Sequence, residues 1–300
     1  MTTASAAPPQ EAASAAAPVR RISGLGEIAP AYDLFLVDQW GVLHNGQSVW
    51  PAALDALRRL RRLPATVIIL SNSGKRAGES RQRLEEMGVS GDLYDHLVTS
   101  GEIVHRNVMT RPDDFYRNLG QAFYALTWDA GNLAVLDGAG MTQTATPEEA
   151  DFIFCSGTSR ATLEDYLDDL RRARARNLPM LCANPDRVSV APDGSMQICP
   201  GTVAAAYQDM GGQVRWHGKP FRETYALCRA LAPDRKRILG IGDSLQHDIA
   251  GAQGSGGDGL LVLGGIHGAE AGDGSDPDRL DALFGRYGVR PAAVMPALRW

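Results

Sequence analysis

Residues 35–46 read Phe-Leu-Val-Asp-Gln-Trp-Gly-Val-Leu-His-Asn-Gly, placing Asp38 where an apolar run meets a glycine-containing loop. The run has the length and composition of a buried strand, and the residues after it suit a turn. A carboxylate at such a strand tip is placed for nucleophilic attack on phosphorus. An aspartate that only closes a strand-to-turn transition has the same local pattern, so the rest of the chain decides between them. Two further apolar segments run into a polar residue in the same way: ATVIILS ends at Ser71 and RILGIGD at Asp243. Between the first two lies PAALDALRRLRRL, whose Leu54, Leu57, Leu60 and Leu63 share one helical face behind a proline suited to a helix start. The third leads into a short helix expected over roughly Gln246 to Ala252, and then into the strand-like GLLVLGG. Alternation of this kind predicts an α/β fold with a Rossmann-like parallel sheet, with ligands at the carboxyl ends of the strands near a topological switch. Asp38, Ser71 and Asp243 should therefore converge.

The stretch 112–216 repeats the mixture: strand-like FYALTW and DFIFCSG, the charged amphipathic helix TLEDYLDDLRRARAR, strand-like PMLCAN, and a helix around GTVAAAYQDMG. It reads as a second α/β lobe, a cap inserted between core segments 22–111 and 217–300. RPAAVMPAL, with Val294 and Met295, is expected to close the core sheet. Residues 1–21, rich in Ala, Pro and Ser, read as a disordered tail with no basic segment followed by a hydrophobic one.

A chain of 300 residues can bury the core of two lobes. Its net charge of −5 gives no basic footprint for nucleic acid or an anionic membrane surface, so a small-molecule partner fits better. No apolar run reaches the length of a membrane span. Cys155, Cys182, Cys199 and Cys228 show neither C-x-x-C pairing nor zinc spacing. They read as buried thiols, and a reducing cytoplasm is the expected compartment.

Three more segments supply chemistry. ILSNSGKR places Ser71, Asn72 and Ser73 at a strand end, where hydroxyl, amide and backbone N–H groups suit phosphate oxygens. HGKPFRETY offers Lys219, a compact cation suited to a phosphate and a carboxylate together. GIGDSLQHDIAG presents Asp243 and Asp248, hard oxygen donors suited to Mg²⁺.

The order and spacing of these four blocks resemble the motifs of the haloacid dehalogenase-like superfamily. CANPD (Cys182 to Asp186) and PGTVAAAYQDMGG (Pro200 to Gly212) are similar to its class IIA members with a C2-type cap, the branch of nucleotide monophosphate, pyridoxal phosphate and phosphoglycolate phosphatases. The resemblance implies an aspartyl-phosphate on Asp38, and Mg²⁺ held by Asp38, Asp243 and the Trp40 carbonyl with Asp248 in support. It also implies phosphoryl binding by Ser71 and Lys219, a small phosphorylated metabolite as substrate, and a cap-mediated homodimer. Asn184, Asp186 and Arg187 are the candidates for the substrate-facing cap surface.

One position departs from the pattern. Phosphatases of this superfamily carry a second aspartate two residues after the nucleophile, as general acid and base, and here that residue is Trp40, whose indole only donates. Proton transfer of this kind is typically worth about 10²–10⁴ in rate. Either His44 acts as surrogate, or the protein binds a phosphorylated ligand with little or no turnover. A dehalogenase needs no metal, against which the Asp243 and Asp248 pair argues. A phosphonatase needs a cap lysine, and 112–216 contains none. Gly254, Gly256 and Gly259 match G-x-G-x-x-G but follow a helix and precede a strand, the reverse of a dinucleotide turn. His247 reads as a helix-surface residue. The run Arg171, Arg172, Arg174 and Arg176 reads as a solvated face behind acidic Asp165, Asp168 and Asp169.

Overall fold

The computed structural model describes residues 19–190 and 195–300. Most of the expected tail lies outside these residues. Its last part does not read as a tail: Arg20–Arg21 pairs in parallel with Ala293 and Val294 as the edge of the main sheet. Val294 and Met295 thus belong to the sheet as expected, one strand in from its rim.

The main sheet has seven parallel strands. Their order is Arg20–Arg21, Ala293–Met295, Asp258–Val262, Ile238–Gly242, Leu34–Val37, Thr66–Ser71 and His96–Thr99. Strand Leu34–Val37 sits at the switch. The chain leaves it toward Thr66–Ser71 on one side, and strand Ile238–Gly242 returns on the other. The central strands are buried on both faces, which is why they read as unbroken apolar runs rather than alternating ones. Phe35 and Val37 pack under Leu57, Leu60 and Leu84. Leu34 and Leu36 point the other way, onto Ile103, Tyr225 and Cys228. Helix Pro51–Leu60 buries Ala53, Ala56, Leu57 and Leu60, the spacing of one helical stripe. Leu54 and Leu63, expected on that face, are only partly buried at its margin.

A second sheet, also parallel, has the order Val214–Trp216, Met180–Cys182, Phe152–Cys155, Ala122–Leu126, Thr142–Thr144. All its strands fall within the span read as an inserted lobe. Helices Glu164–Ala175 and Pro200–Asp209 cover one face. Helix Ser100–Thr110 supplies Val104 and Val108 to the other, while its Ile103 packs on the main sheet. One helix therefore belongs to both cores. Gly101 makes this approach possible, because a Cβ there would lie 2.4 Å from the Gly74 carbonyl oxygen. A short antiparallel pair, Val188–Val190 with Met196–Ile198, projects from the second sheet.

All four cysteines are free and buried, and no helix among the described residues is long and apolar enough to cross a membrane.

Candidate active site

Because all seven strands run the same way, their carboxyl ends meet at one rim. Val37 lies in register with Ile69 and with Ile241, so Asp38, Ser71 and Asp243 leave adjacent strands side by side. After Asp243 the chain winds through a widened helical turn, Leu245–Ile249, a feature frequent at functional sites. That turn swings Asp248 back beneath the strand end. Gly242 admits it: a Cβ there would fall 1.9 Å from the Asp248 carboxyl carbon.

Oxygen atoms of Asp38, Asp243 and Asp248 lie within 4.8 Å of one another, and all three residues are buried. Lys219 reaches in from the Gly218–Pro220 turn. Its Nζ donates to Asp38 Oδ1 at 2.6 Å and to Asp248 Oδ1 at 2.7 Å, with only 3 % of the residue exposed. Two carboxylates share one ammonium with a third beside them, and the balance shows in the protonation of Lys219, Asp38 and Asp243. Burial pulls Lys219 down, but Asp248 and Asp38 reverse this and hold it well above the ordinary lysine range. Burial pushes Asp38 well above the usual carboxylate range, with Lys219 opposing and the other two aspartates adding to it. Asp243 is pushed up to about 7, first by burial and then by Asp248.

The excess negative charge, in a buried site lined by hard oxygens, fits a divalent cation. The backbone supports the fit. The Ile266 N–H donates to Asp243 Oδ2 at 2.9 Å, and the Ser244 N–H to Asp248 Oδ2 at 3.1 Å, each orienting a carboxylate. A Cβ on Gly265 or Gly41 would lie 1.9 or 2.0 Å from Asp243 Oδ2, so only glycine leaves this carboxylate its position.

Asn72 clamps the second wall. Its Oδ1 accepts the Lys219 N–H at 2.6 Å, and its Nδ2 donates to Asp186 Oδ1 at 2.7 Å. Asp186 also meets His247 Nδ1 at 3.2 Å. Asn184, buried, receives the Asp186 N–H on its Oδ1 at 2.9 Å. Asn184 and Asp186 from the second sheet are thereby brought to the rim of the first, whereas the Arg187 side chain is exposed. His247 is not the surface residue its position suggested, because the widened turn rotates it inward to Asp186. Ser71 is buried, and its Oγ accepts the Ser73 N–H at 3.2 Å.

The loop after Asp38 folds tightly on itself, the Gln39 carbonyl accepting the N–H of Val42, Leu43 and His44. Trp40 is 41 % exposed, and its indole N–H donates to the Val190 carbonyl in the short hairpin at 3.2 Å. His44 Nδ1 accepts the Gly46 N–H at 3.0 Å, leaving the ring proton on Nε2. Burial, with Arg83 adding to it, lowers the His44 pKa to about 4. Near neutral pH it is an uncharged imidazole and no ready proton donor. A cleft of about 390 Å³ runs from Ser71 and Ser73 past Gln39, Trp40 and His44 to helix Ala77–Glu86.

Sequence reasoning missed Gln39, the Gly265–Ile266 contact to Asp243, and the helix that walls the cleft. The Gly-Gly pair after GLLVL is the one signal that pointed to a close backbone approach there.

A parallel sheet with the nucleophile position at its switch and the other three motifs on the same rim is what the superfamily's architecture requires. The chain belongs to the haloacid dehalogenase-like hydrolases: the sequence pattern of that family matches residues 35–142, and that of a related HAD-like hydrolase family matches 216–295. A crystal structure of a haloacid dehalogenase-like hydrolase from Brucella suis is 30% identical, covers 92% of this chain and 99% of its own, and superposes with a TM-score of 0.77. A 4-nitrophenylphosphatase from Schizosaccharomyces pombe is 26% identical over 80% of this chain and 86% of its own length. A glycerol phosphate phosphatase from Mycobacterium tuberculosis, solved with magnesium, shares the fold at 22% identity and a TM-score of 0.61, over 84% of this chain and 74% of its own.

Proposed function

We propose that this protein hydrolyses a small phosphate monoester through an aspartyl-phosphate on Asp38. The observation that carries the reading is the Lys219 ammonium held between Asp38 and Asp248, with Asp243 completing a buried carboxylate cluster. Asp38, Asp243, Asp248 and the backbone carbonyl of Trp40 would hold Mg²⁺, which supplies charge neutralisation for the phosphoryl group. Lys219 keeps the Asp38 oxygen aimed and offsets the charge gathering on phosphorus. Ser71, Asn72 and Ser73 bind the phosphoryl oxygens. The segment 112–216 serves as a cap: Asn184, Asp186 and Arg187 face the substrate, and closure excludes water. Its sheet edges are the candidate surface for pairing two copies of the chain, and the cytoplasm is the proposed compartment. The phosphatase names of the relatives support the reaction class, and the magnesium complex of the M. tuberculosis neighbour supports the metal.

Phosphate release from a panel of phosphate esters, with Mg²⁺ and with EDTA, tests the reading. Wild type should exceed Asp38→Asn with Mg²⁺ and lose that excess in EDTA. A wild type no faster than Asp38→Asn removes the hydrolase reading. It would leave the second one, a phospho-ligand-binding protein without turnover, which Trp40 and the uncharged His44 favour.

A further inference from the structure

Asp186 lies in the second lobe, yet the named partners of its carboxylate, Asn72 and His247, are both in the core. Within its own lobe the residue is held by its backbone. Its N–H donates to Asn184 Oδ1 at 2.9 Å, and its carbonyl accepts the Gly201 N–H at 2.9 Å. Gly201 packs so closely on this segment that a Cβ there would fall 2.5 Å from the Asp186 carbonyl oxygen. The segment is thus fixed without the side chain, which reaches across to the main sheet.

There Asp186 Oδ1 meets two groups: Asn72 Nδ2 donates to it at 2.7 Å, and His247 Nδ1 lies 3.2 Å from it. Each partner belongs to a segment that places the Lys219 ammonium. Asn72 Oδ1 accepts the Lys219 N–H at 2.6 Å, and its Nδ2 donates to the Lys219 carbonyl at 3.4 Å, so one amide brackets the Lys219 backbone. Gly218, at φ +98°, sits between that amide and the second lobe: a Cβ would fall 2.5 Å from Asn72 Oδ1 and 3.0 Å from Pro185 Cδ. His247 immediately precedes Asp248 in the widened turn, and Lys219 Nζ bridges Asp248 to Asp38. One carboxylate oxygen of the second lobe therefore joins the two core segments between which the ammonium is aimed.

Resting on the hydrolase reading, we propose that Asp186 is a positioning residue: through Asn72 and His247 it sets the Lys219 backbone and the turn bearing Asp248, so that the ammonium is aimed at Asp38 only while the second lobe is docked on the first. This task is separate from facing the substrate. A residue that only touches substrate changes how tightly an ester binds, whereas one that aims Lys219 changes how fast each bound ester reacts. Misplacing a reacting group by about 1 Å costs roughly 10²-fold.

The test reads kcat and KM with Mg²⁺ on 4-nitrophenyl phosphate and on each further ester that wild type hydrolyses. Asp186→Ala is expected to lower kcat roughly 10- to 100-fold, by the same factor on every ester, with KM within about twofold. Asp186→Asn, which keeps an oxygen for Asn72 and His247, should recover most of that loss. Asn72→Asp leaves the second lobe untouched but sets carboxylate against carboxylate, and it should lose at least as much. Combining it with Asp186→Asn exchanges donor and acceptor across the contact and should restore about tenfold. Neither a substrate contact nor a merely structural role gives that recovery, and should Asp186→Ala not fold, the exchange carries the test by itself. A readout without turnover is acetylation by acetic anhydride followed by mass spectrometry, with exposed Lys236 as reference. Lys219, 3 % exposed, should be labelled several times faster in Asp186→Ala than in wild type. A raised KM with kcat kept, no recovery in the double variant, or unchanged Lys219 labelling overturns the inference while the hydrolase reading stands. If no ester is hydrolysed faster than by Asp38→Asn, the hydrolase reading falls and the labelling alone decides whether Asp186 places Lys219.

Discussion

Around Lys219 each carboxylate is held by a named donor, whereas a few residues along the loop from Asp38 two buried N–H groups have none. The first wall is complete as it stands: charge meets charge, and backbone N–H groups of Ser244 and Ile266 fix the carboxylates. The second is built from neutral donors and an indole turned toward the neighbouring hairpin. Changes on the paired wall should remove chemistry, and changes on the unpaired wall should leave most of it.

Five measurements can break or sharpen that contrast. Asp38→Asn should abolish phosphate release, a loss of roughly 10³-fold or more read in a steady-state assay. A surviving rate would move the nucleophile elsewhere. Lys219→Met strands Asp38 and Asp248 without their shared cation, and breaking a buried pair from one side costs about 3 kcal/mol or more, which urea unfolding would register. An unchanged midpoint would mean that the ammonium is not needed to hold the carboxylates. Gly265→Ala should displace Asp243 and weaken Mg²⁺ binding roughly tenfold or more, measured as the rise of the melting temperature along a Mg²⁺ titration.

The fourth concerns pH. Asp243 is raised to about 7, so the folded protein holds a proton that the unfolded chain has already released. Its stabilising contribution is complete below the unfolded value near 4 and is lost as pH rises toward 7. In EDTA the melting temperature should therefore fall across that window, and Mg²⁺, which prefers the deprotonated form, should restore more at pH 8 than at pH 5. Equal restoration at both values would argue against these carboxylates as ligands. The smallest effect belongs to Trp40→Phe, which removes one hydrogen bond to Val190, worth about 1 kcal/mol. Rates on 4-nitrophenyl phosphate should change less than tenfold, and a collapse of activity would give the indole a role in the reaction.

The parallel sheet and the meeting of its strand tips were legible because parallel strands covered on both faces must be apolar throughout, and because strands Leu34–Val37, Thr66–Ser71 and Ile238–Gly242 each run into a polar residue. The helix Pro51–Leu60 was legible from its leucines, although alanines Ala53 and Ala56 form the inner part of its stripe. His96–Thr99, Thr142–Thr144 and the hairpin strands were not, since three or four residues carry too little periodicity to stand out. Asp38, Asp243, Asp248 and Lys219 could be foreseen from their motifs. The placing of Gln39 could not, because a buried amide nitrogen without a partner is something only three-dimensional packing reveals. His247 misled because a five-residue widened turn changes which way a side chain points.

The strand order has a further consequence, for the time course of folding. Leu34–Val37 is bordered by Ile238–Gly242, roughly two hundred residues later in the chain, whereas all five strands of the second sheet lie between them. Closing so long a loop is slow, and contacts of high sequence separation form late. During synthesis the second sheet can form while the nucleophile's strand still lacks one neighbour. Asp38 then waits with Ser71 alone, without Lys219, Asp243 or Asp248, and the protein becomes chemically competent only when the last third of the chain docks.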